Sequence, residues 1–248
     1  MTVSESLAFL QDFLPLVEDC LDRVEVILSP PATALHPLSQ ALEAHRKPSW
    51  RLSLGAQDLS ASAEVARTGQ LSAALLSEAG CRWVMLGHWE VRRHLGDNDE
   101  TVNRKVHSAL EARLRPLLLI GPESGETLPL DASLGDHLSR VLEGCNTLQV
   151  ESMAFVFEPE ASIGQDLPAD PHLVSEGCRL IRAWLGQSYG DRIAENIRII
   201  YGGSVTPQHA VGLLASPQVD GLGASRRGRD PASFAEIVRL VDQVKNPC

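Results

Sequence analysis

The chain has 248 residues, 44% hydrophobic and 22% charged, with a formal net charge of −10, enough apolar material for a full core. An acidic surface of this kind argues against nucleic acid as a partner, because phosphate backbones need clustered Lys and Arg; a small anionic substrate in one local pocket stays open. Five scattered cysteines, Cys20, Cys81, Cys145, Cys178 and Cys248, with no C-x-x-C pair, no secretory signal and no apolar run long enough for a bilayer, point to free thiols in a cytoplasmic protein with no membrane partner.

Residues 4–19 read as a helix with Leu7, Leu10, Phe13, Leu14 and Val17 on one face. A short strand over 24–28 is stopped by Pro30-Pro31, and 34–44 is helical. The strand 51–54 ends at Gly55-Ala-Gln-Asp58, and the helix 72–79 leads into the strand 83–86. Helix 101–112 has Asp99 near its N-terminus. Strand 116–120 is stopped by Gly121-Pro122, and helix 134–142 follows. The apolar strand 153–157 runs into Glu158-Pro159, followed by helix 171–185. Strand 197–201 ends in Gly202-Gly203-Ser204, before helix 207–214, strand 219–222 and the closing helix 231–244.

The strands are continuous apolar runs, the pattern of a parallel sheet covered on both faces. Strand and helix alternate with no long linker, so residues 1–248 read as one domain. Seven strands are visible and the chain opens on a helix, whereas a barrel of this class closes with eight strands. The expected fold is a (β/α)8 barrel with the first β-strand missing from this chain, which leaves two strands with unpaired edges.

Three strand ends carry chemistry. Gly87 turns the backbone and His88 then stands at the carboxyl end of its strand, where parallel α/β folds place their chemistry. Glu90 is positioned to hold the ring or to start the next helix. Glu158 ends an apolar strand, where desolvation raises a carboxyl pKa and suits a general base. Gly202, Gly203 and Ser204 offer backbone N–H groups to an anion ahead of a helix. Each has a plain alternative: an incidental loop histidine, an ordinary Glu-Pro turn, a tight βα turn. No metal and no cofactor is expected.

These stretches, with Gly55-Ala-Gln-Asp58, Thr68-Gly69, Ile163-Gly164 and Ile199-Ile-Tyr-Gly-Gly-Ser-Val205, resemble the triosephosphate isomerase family, nearly without gaps from Ser4 to about Leu240. The resemblance implies His88 as the electrophilic histidine, Glu158 as the base and Glu90 as the family's acidic residue two places after the histidine. It also implies Gly164 and Ser204 as phosphate-binding positions, and Thr68 at the tip of a loop that docks into a second subunit of a homodimer. The implied reaction moves a proton through an enediolate to exchange ketose and aldose of a small phosphorylated sugar, under a lid running from Pro159 to about Leu167.

The departures from the family pattern are specific. The family's first strand carries an Asn and a catalytic Lys, and no counterpart stands ahead of Ser4; none of Lys47, Lys105 and Lys245 ends a strand. Glu160, a second carboxylate beside Glu158, is expected to repel it and any phosphate. Trp89 replaces a small residue, and Leu119-Ile-Gly-Pro122 replaces the family's Cys-Ile-Gly-Glu. In the last loop Ser225-Arg226 replaces a Gly-Gly phosphate clamp, ahead of Arg227 and Arg229. Arg226 is read either as a supplied phosphate-binding charge or as part of a solvated helix entry. Related branches acting on four-carbon sugar phosphates carry Gly-Arg there. Two alternatives to a triose phosphate isomerase therefore stand: an isomerase of a four-carbon ketose phosphate, and a catalytically weakened barrel that binds a phosphorylated metabolite or a partner.

Overall fold

The computed structural model describes residues 1–248 except Ala63, Ala66, Arg226, Pro247 and Cys248, and except the Arg227 side chain. Helix α1 (Val3–Val17) opens the chain on a capping box, in which the Glu5 N–H donates to the Thr2 hydroxyl and the Thr2 N–H to the Glu5 carboxylate. Then come β1 (Val26–Leu28), α2 (Leu35–His45), β2 (Leu52–Ala56), α3 (Ala73–Glu78) and β3 (Cys81–Leu86). The middle of the chain forms α4 (Trp89–Leu95), α5 (Asp99–Glu111), β4 (Arg115–Ile120), α6 (Leu130–Val141), α7 (Thr147–Glu151) and β5 (Ala154–Phe157). The last part forms α8 (Pro171–Tyr189), α9 (Asp191–Asn196), β6 (Ile199–Gly203), α10 (Pro207–Leu214), β7 (Gly221–Ala224) and α11 (Pro231–Lys245).

The strands make one sheet in sequential order, β1 to β7, with every neighbouring pair parallel. Successive side chains point to opposite faces. Val84, Leu86, Leu118, Ile120, Phe155, Phe157 and Ile199 pack outward with the helices. Trp83, Leu117, Leu119, Ala154 and Val156 form an inner cluster, with Ile27, Met85 and Ile200 half-buried against it. Both faces are apolar, which is why the strands read as unbroken apolar runs. The sheet curls around a cavity of about 1000 Å³ lined from β1 and from β3 through β7. Among the described residues β1 and β7 are not paired with each other, so the expected barrel lacking one strand is what forms. No helix of the described residues is long and apolar enough to cross a membrane.

Two corrections concern element bounds. Gly202 and Gly203 do not stop β6: they pair with Gly223 and Ala224 of β7, and β2 likewise runs through Gly55. A glycine interrupts a strand only where it takes a turn conformation, and a ladder can otherwise continue through it. Helices α4, α7 and α9, of 7, 5 and 6 residues, escape a reading that depends on repeated helical turns.

Candidate active site

Parallel strands bring all carboxyl ends to one rim. Gly87 has φ of 87°, and a Cβ there would stand 2.8 Å from the Leu119 carbonyl oxygen, so the chain turns tightly out of β3. His88 then caps α4, its Nδ1 accepting the Glu90 N–H at 3.1 Å. An Nδ1 that accepts must be unprotonated, which leaves the ring proton on Nε2. Burial lowers the His88 pKa, opposed by the nearby charge of Glu90. Glu90 thus holds the ring through its backbone, while its own side chain is exposed.

Glu158 sits at the end of β5 and is 6% exposed. Its Oε1 lies 3.6 Å from His88 Nε2, and among the described residues its buried Oε2 has no hydrogen-bond partner. Burial pushes its pKa up to about 8, with a further contribution from Glu90. Its backbone is fixed on both sides: the N–H donates to the Ile120 carbonyl at 2.9 Å, and the carbonyl accepts the Trp89 indole N–H at 3.1 Å. Two glycines make room for it. A Cβ on Gly121 would stand 2.1 Å from the Glu158 carbonyl oxygen, and one on Gly202 would meet Val156 at 2.6 Å and Glu158 Oε1 at 3.3 Å. Gly121 and Trp89 were legible only as a strand stop and a substitution; their positioning of Glu158 depends on contacts across the sheet.

Glu160 does not oppose Glu158, which corrects the sequence expectation. Its carboxylate turns to Arg93, with Nε donating to Oε1 at 2.7 Å and Nη2 to Oε2 at 2.8 Å, and it accepts the Ser124 N–H at 2.7 Å. The Arg93 hydrogen bond holds Glu160 below the usual carboxylate range against a small burial penalty. These contacts fix the first turn of the candidate lid, Glu160–Ser162. The far end is held by the Tyr201 hydroxyl, which accepts the Ala169 N–H at 2.9 Å.

His88, Glu90, Glu158, Gly164, Gly203 and Ser225 all line the central cavity. Gly203 has φ of 154°, and a Cβ on it would stand 2.5 Å from the Tyr201 hydroxyl oxygen. Gly164 is exposed in the lid with φ of 75°. Ser204 is not among the lining residues; its hydroxyl donates to the Gln165 carbonyl of the lid. Arg226 lies outside the described residues. Thr68 is exposed on the loop between β2 and α3, away from the cavity. Among the described residues no lysine reaches the rim: Lys105 is buried between Asp58 and Asp97 at 2.7 and 2.6 Å, Lys47 pairs with Glu18, and Lys245 donates to the Ser216 carbonyl.

The sequence profile described as triosephosphate isomerase matches residues 1–241. The triosephosphate isomerase of Symbiobacterium thermophilum is 38% identical over 238 residues, covering 95% of this chain and 91% of the relative. That of Citrifermentans bemidjiense is 37% identical over 246 residues, covering 96% and 93%. That of Solibacter usitatus is 34% identical over 244 residues, covering 96% and 94%. A sevenfold parallel sheet with its histidine and carboxylate on one rim, matched along nearly its whole length by such relatives, places this chain in the triosephosphate isomerase family.

Proposed function

We propose that the protein interconverts the ketose and aldose forms of a small phosphorylated sugar, dihydroxyacetone phosphate and glyceraldehyde 3-phosphate, in the cytoplasm. The observation that carries this is the pairing of a buried carboxyl with a neutral imidazole N–H at 3.6 Å across one cavity rim. Ionised Glu158 takes a proton from the carbon next to the carbonyl, and the C–H electron pair moves toward the carbonyl oxygen. His88 Nε2–H donates to that oxygen as negative charge builds on it. Glu158, now protonated, is in the form its burial favours; it returns the proton to the neighbouring carbon, while the hydroxyl proton of the first carbon passes to the former carbonyl oxygen, so that carbonyl and hydroxyl exchange places. A pKa of about 8 suits both halves, because a base must be strong enough to take the proton and weak enough to release it. Gly164, Gly203 and Ser225 are the cavity-lining positions proposed to face the phosphate, and the loop carrying Thr68 is proposed to dock into a second copy in a homodimer. Ser204 and Arg226 are proposed to add to the phosphate site. The lid excludes water during the transfer.

A second reading rests on a different observation. Among the described residues no lysine stands at the rim, where one well-placed donor contributes roughly 3–4 kcal/mol of transition-state stabilisation; that observation favours a barrel that binds the sugar phosphate without rapid turnover. A coupled assay with glyceraldehyde 3-phosphate, and with a four-carbon ketose phosphate, separates the two. The isomerase reading expects turnover that falls by about 10²–10⁴-fold in Glu158→Gln, with folding intact by circular dichroism. No turnover above that variant on any substrate overturns it, and calorimetric binding of the same sugar phosphates then supports the weakened barrel.

A further inference from the structure

The stretch that leads from the base into the candidate lid is fastened unevenly along its length. On the near side of Pro159, the Glu158 N–H donates to the Ile120 carbonyl and the Glu158 carbonyl accepts from Trp89. On the far side, the Glu160 N–H donates to the Pro122 carbonyl at 3.1 Å. The Glu160 carboxylate takes three donors: Nε and Nη2 of Arg93, and the Ser124 N–H. Arg93 stands one turn beyond Trp89 on α4, its guanidinium 5.6 Å from the centroid of that ring, and its Nη2 also donates to Glu123 at 2.5 Å. The turn then closes on itself. The Ser162 N–H and hydroxyl both donate to the Pro159 carbonyl, at 2.9 and 2.7 Å, and the Ile163 N–H donates to the Glu160 carbonyl at 3.0 Å. An ion pair in open water stabilises little, because solvent screens it and two long side chains lose freedom. This pair differs in geometry: the planar fork meets both carboxylate oxygens, and the Glu160 side chain is only 15% exposed.

Past Ile163 the character of the lid changes. Residues 164–167 are all exposed. Gly164 has φ of 75°, and a Cβ there would meet nothing within 4 Å, so the backbone has room to rotate at this point. The contacts on this half come from the end of β6 and are hydrogen bonds to single hydroxyls: Ser204 with the Gln165 carbonyl, and Tyr201 with the Ala169 N–H. Pro168 fixes φ just ahead of the second of these. A lid that opens and closes concentrates its backbone rotation in a few residues. With 159–163 tied to α4 and to the segment after β4, that rotation falls on residues 164–167.

We propose that Arg93 is a positioning residue: it clamps Glu160 so that the lid bends at Gly164 and beyond, not at Pro159, and Glu158 keeps its place whether the lid is open or closed. What the moving half covers rests on the isomerase reading above; where it bends does not. The test follows amide exchange residue by residue, by NMR, on the intact chain. Without ligand, the amides of Glu160, Ser162 and Ile163 are expected to exchange slowly and those of residues 164–167 fast. Arg93→Met keeps an unbranched side chain and removes the fork. It should speed exchange at Glu160, Ser162 and Ile163 by about tenfold and leave β4 and β5 unchanged. Glu160→Gln keeps the size and removes the charge; it should act in the same direction, and it decides the question if Arg93→Met does not fold. Dihydroxyacetone phosphate should slow exchange only at residues 164–167 in the wild type, and at both stretches in Arg93→Met. In the coupled assay Arg93→Met should lower kcat with KM little changed, because the loosened group acts in the transition state. Equal exchange in the two stretches of the wild type, ligand protection at Glu160 and Ser162 in the wild type, or unchanged exchange in both variants overturns the clamp. A uniform rise that includes β4 and β5 assigns Arg93 to fold stability alone and overturns it as well. No protection by dihydroxyacetone phosphate at any amide counts against the sugar-phosphate reading, and the comparison without ligand still decides the clamp.

Discussion

Glu158 keeps its proton far above the pH at which an exposed carboxyl gives it up, because burial penalises the charge and Glu90 adds to the penalty. Linkage turns this into two opposite pH trends. Between the ordinary value of 4.5 and about 8 the native chain holds a proton that the unfolded chain has already released. Stability contributed by this group is therefore full below about pH 4.5 and is lost as pH rises toward about 8. Catalysis needs the ionised form, so kcat/KM rises over the upper part of the same window and levels off above about 8. Glu158→Gln removes the stability slope; denaturant titrations from pH 5 to 9 should show the variant gaining on the wild type as pH rises, and parallel curves would contradict the burial argument. His88 makes a separate prediction. With Nδ1 accepting the Glu90 N–H, nitrogen NMR of the labelled ring should report the Nε2–H tautomer, and the neutral form should persist below the ordinary pKa of 6.5 because burial lowers it. An Nδ1–H tautomer would remove the donor that the mechanism assigns to this ring.

At the level of elements, the lid and the base are held by different parts of the chain. Trp89, the first residue of α4, reaches across to the Glu158 carbonyl. Trp89→Phe keeps most of the ring packing and removes only that donor, leaving a buried carbonyl without it. The expected loss is about 1–3 kcal/mol, measured by urea unfolding, with a fall in kcat larger than any change in KM because the displaced group is the base. A stability loss with unchanged kcat would mean that the indole N–H supports the fold and does not position Glu158. Much of this level was legible in the sequence. The seven strands announced themselves as apolar runs, because both of their faces are covered, and His88 and Glu158 stood out because a polar residue followed each run. Trp89, Gly121 and the Arg93–Glu160 pair were not legible, because each acts on a residue brought near only by strand pairing. Charge read along the chain placed Glu160 against Glu158, whereas the backbone turns the two carboxylates to different partners: Glu160 meets Arg93, 67 residues away.

At the scale of the molecule, β1 and β7 are not paired with each other among the described residues, and helices α1 and α11 pack together beside them. Phe13 of α1 stacks on Phe9 and on Phe234 of α11, with ring centroids 5.4 and 5.2 Å apart. Around this stack Arg23 donates to Asp242 at 2.6 Å, and Arg239 donates to the Leu16 carbonyl at 2.8 Å and to Asp19 at 2.9 Å. The two kinds of contact differ in weight. Phe13 is fully buried, and removing a buried phenyl typically costs about 3–5 kcal/mol through lost burial and the cavity left behind. The Arg23–Asp242 pair is open to solvent, where water and salt screen the attraction and such pairs contribute little. Phe13→Ala should therefore destabilise the chain by several times as much as Arg23→Ala in urea titrations. It should also speed amide exchange in β1 and β7 before it affects β3, β4 and β5, because the edge strands depend on the helix pair while the central strands are paired on both sides. Equal destabilisation by the two variants, or uniform loss of protection across all seven strands, would show that the helix stack is not what holds the open ends of the sheet together.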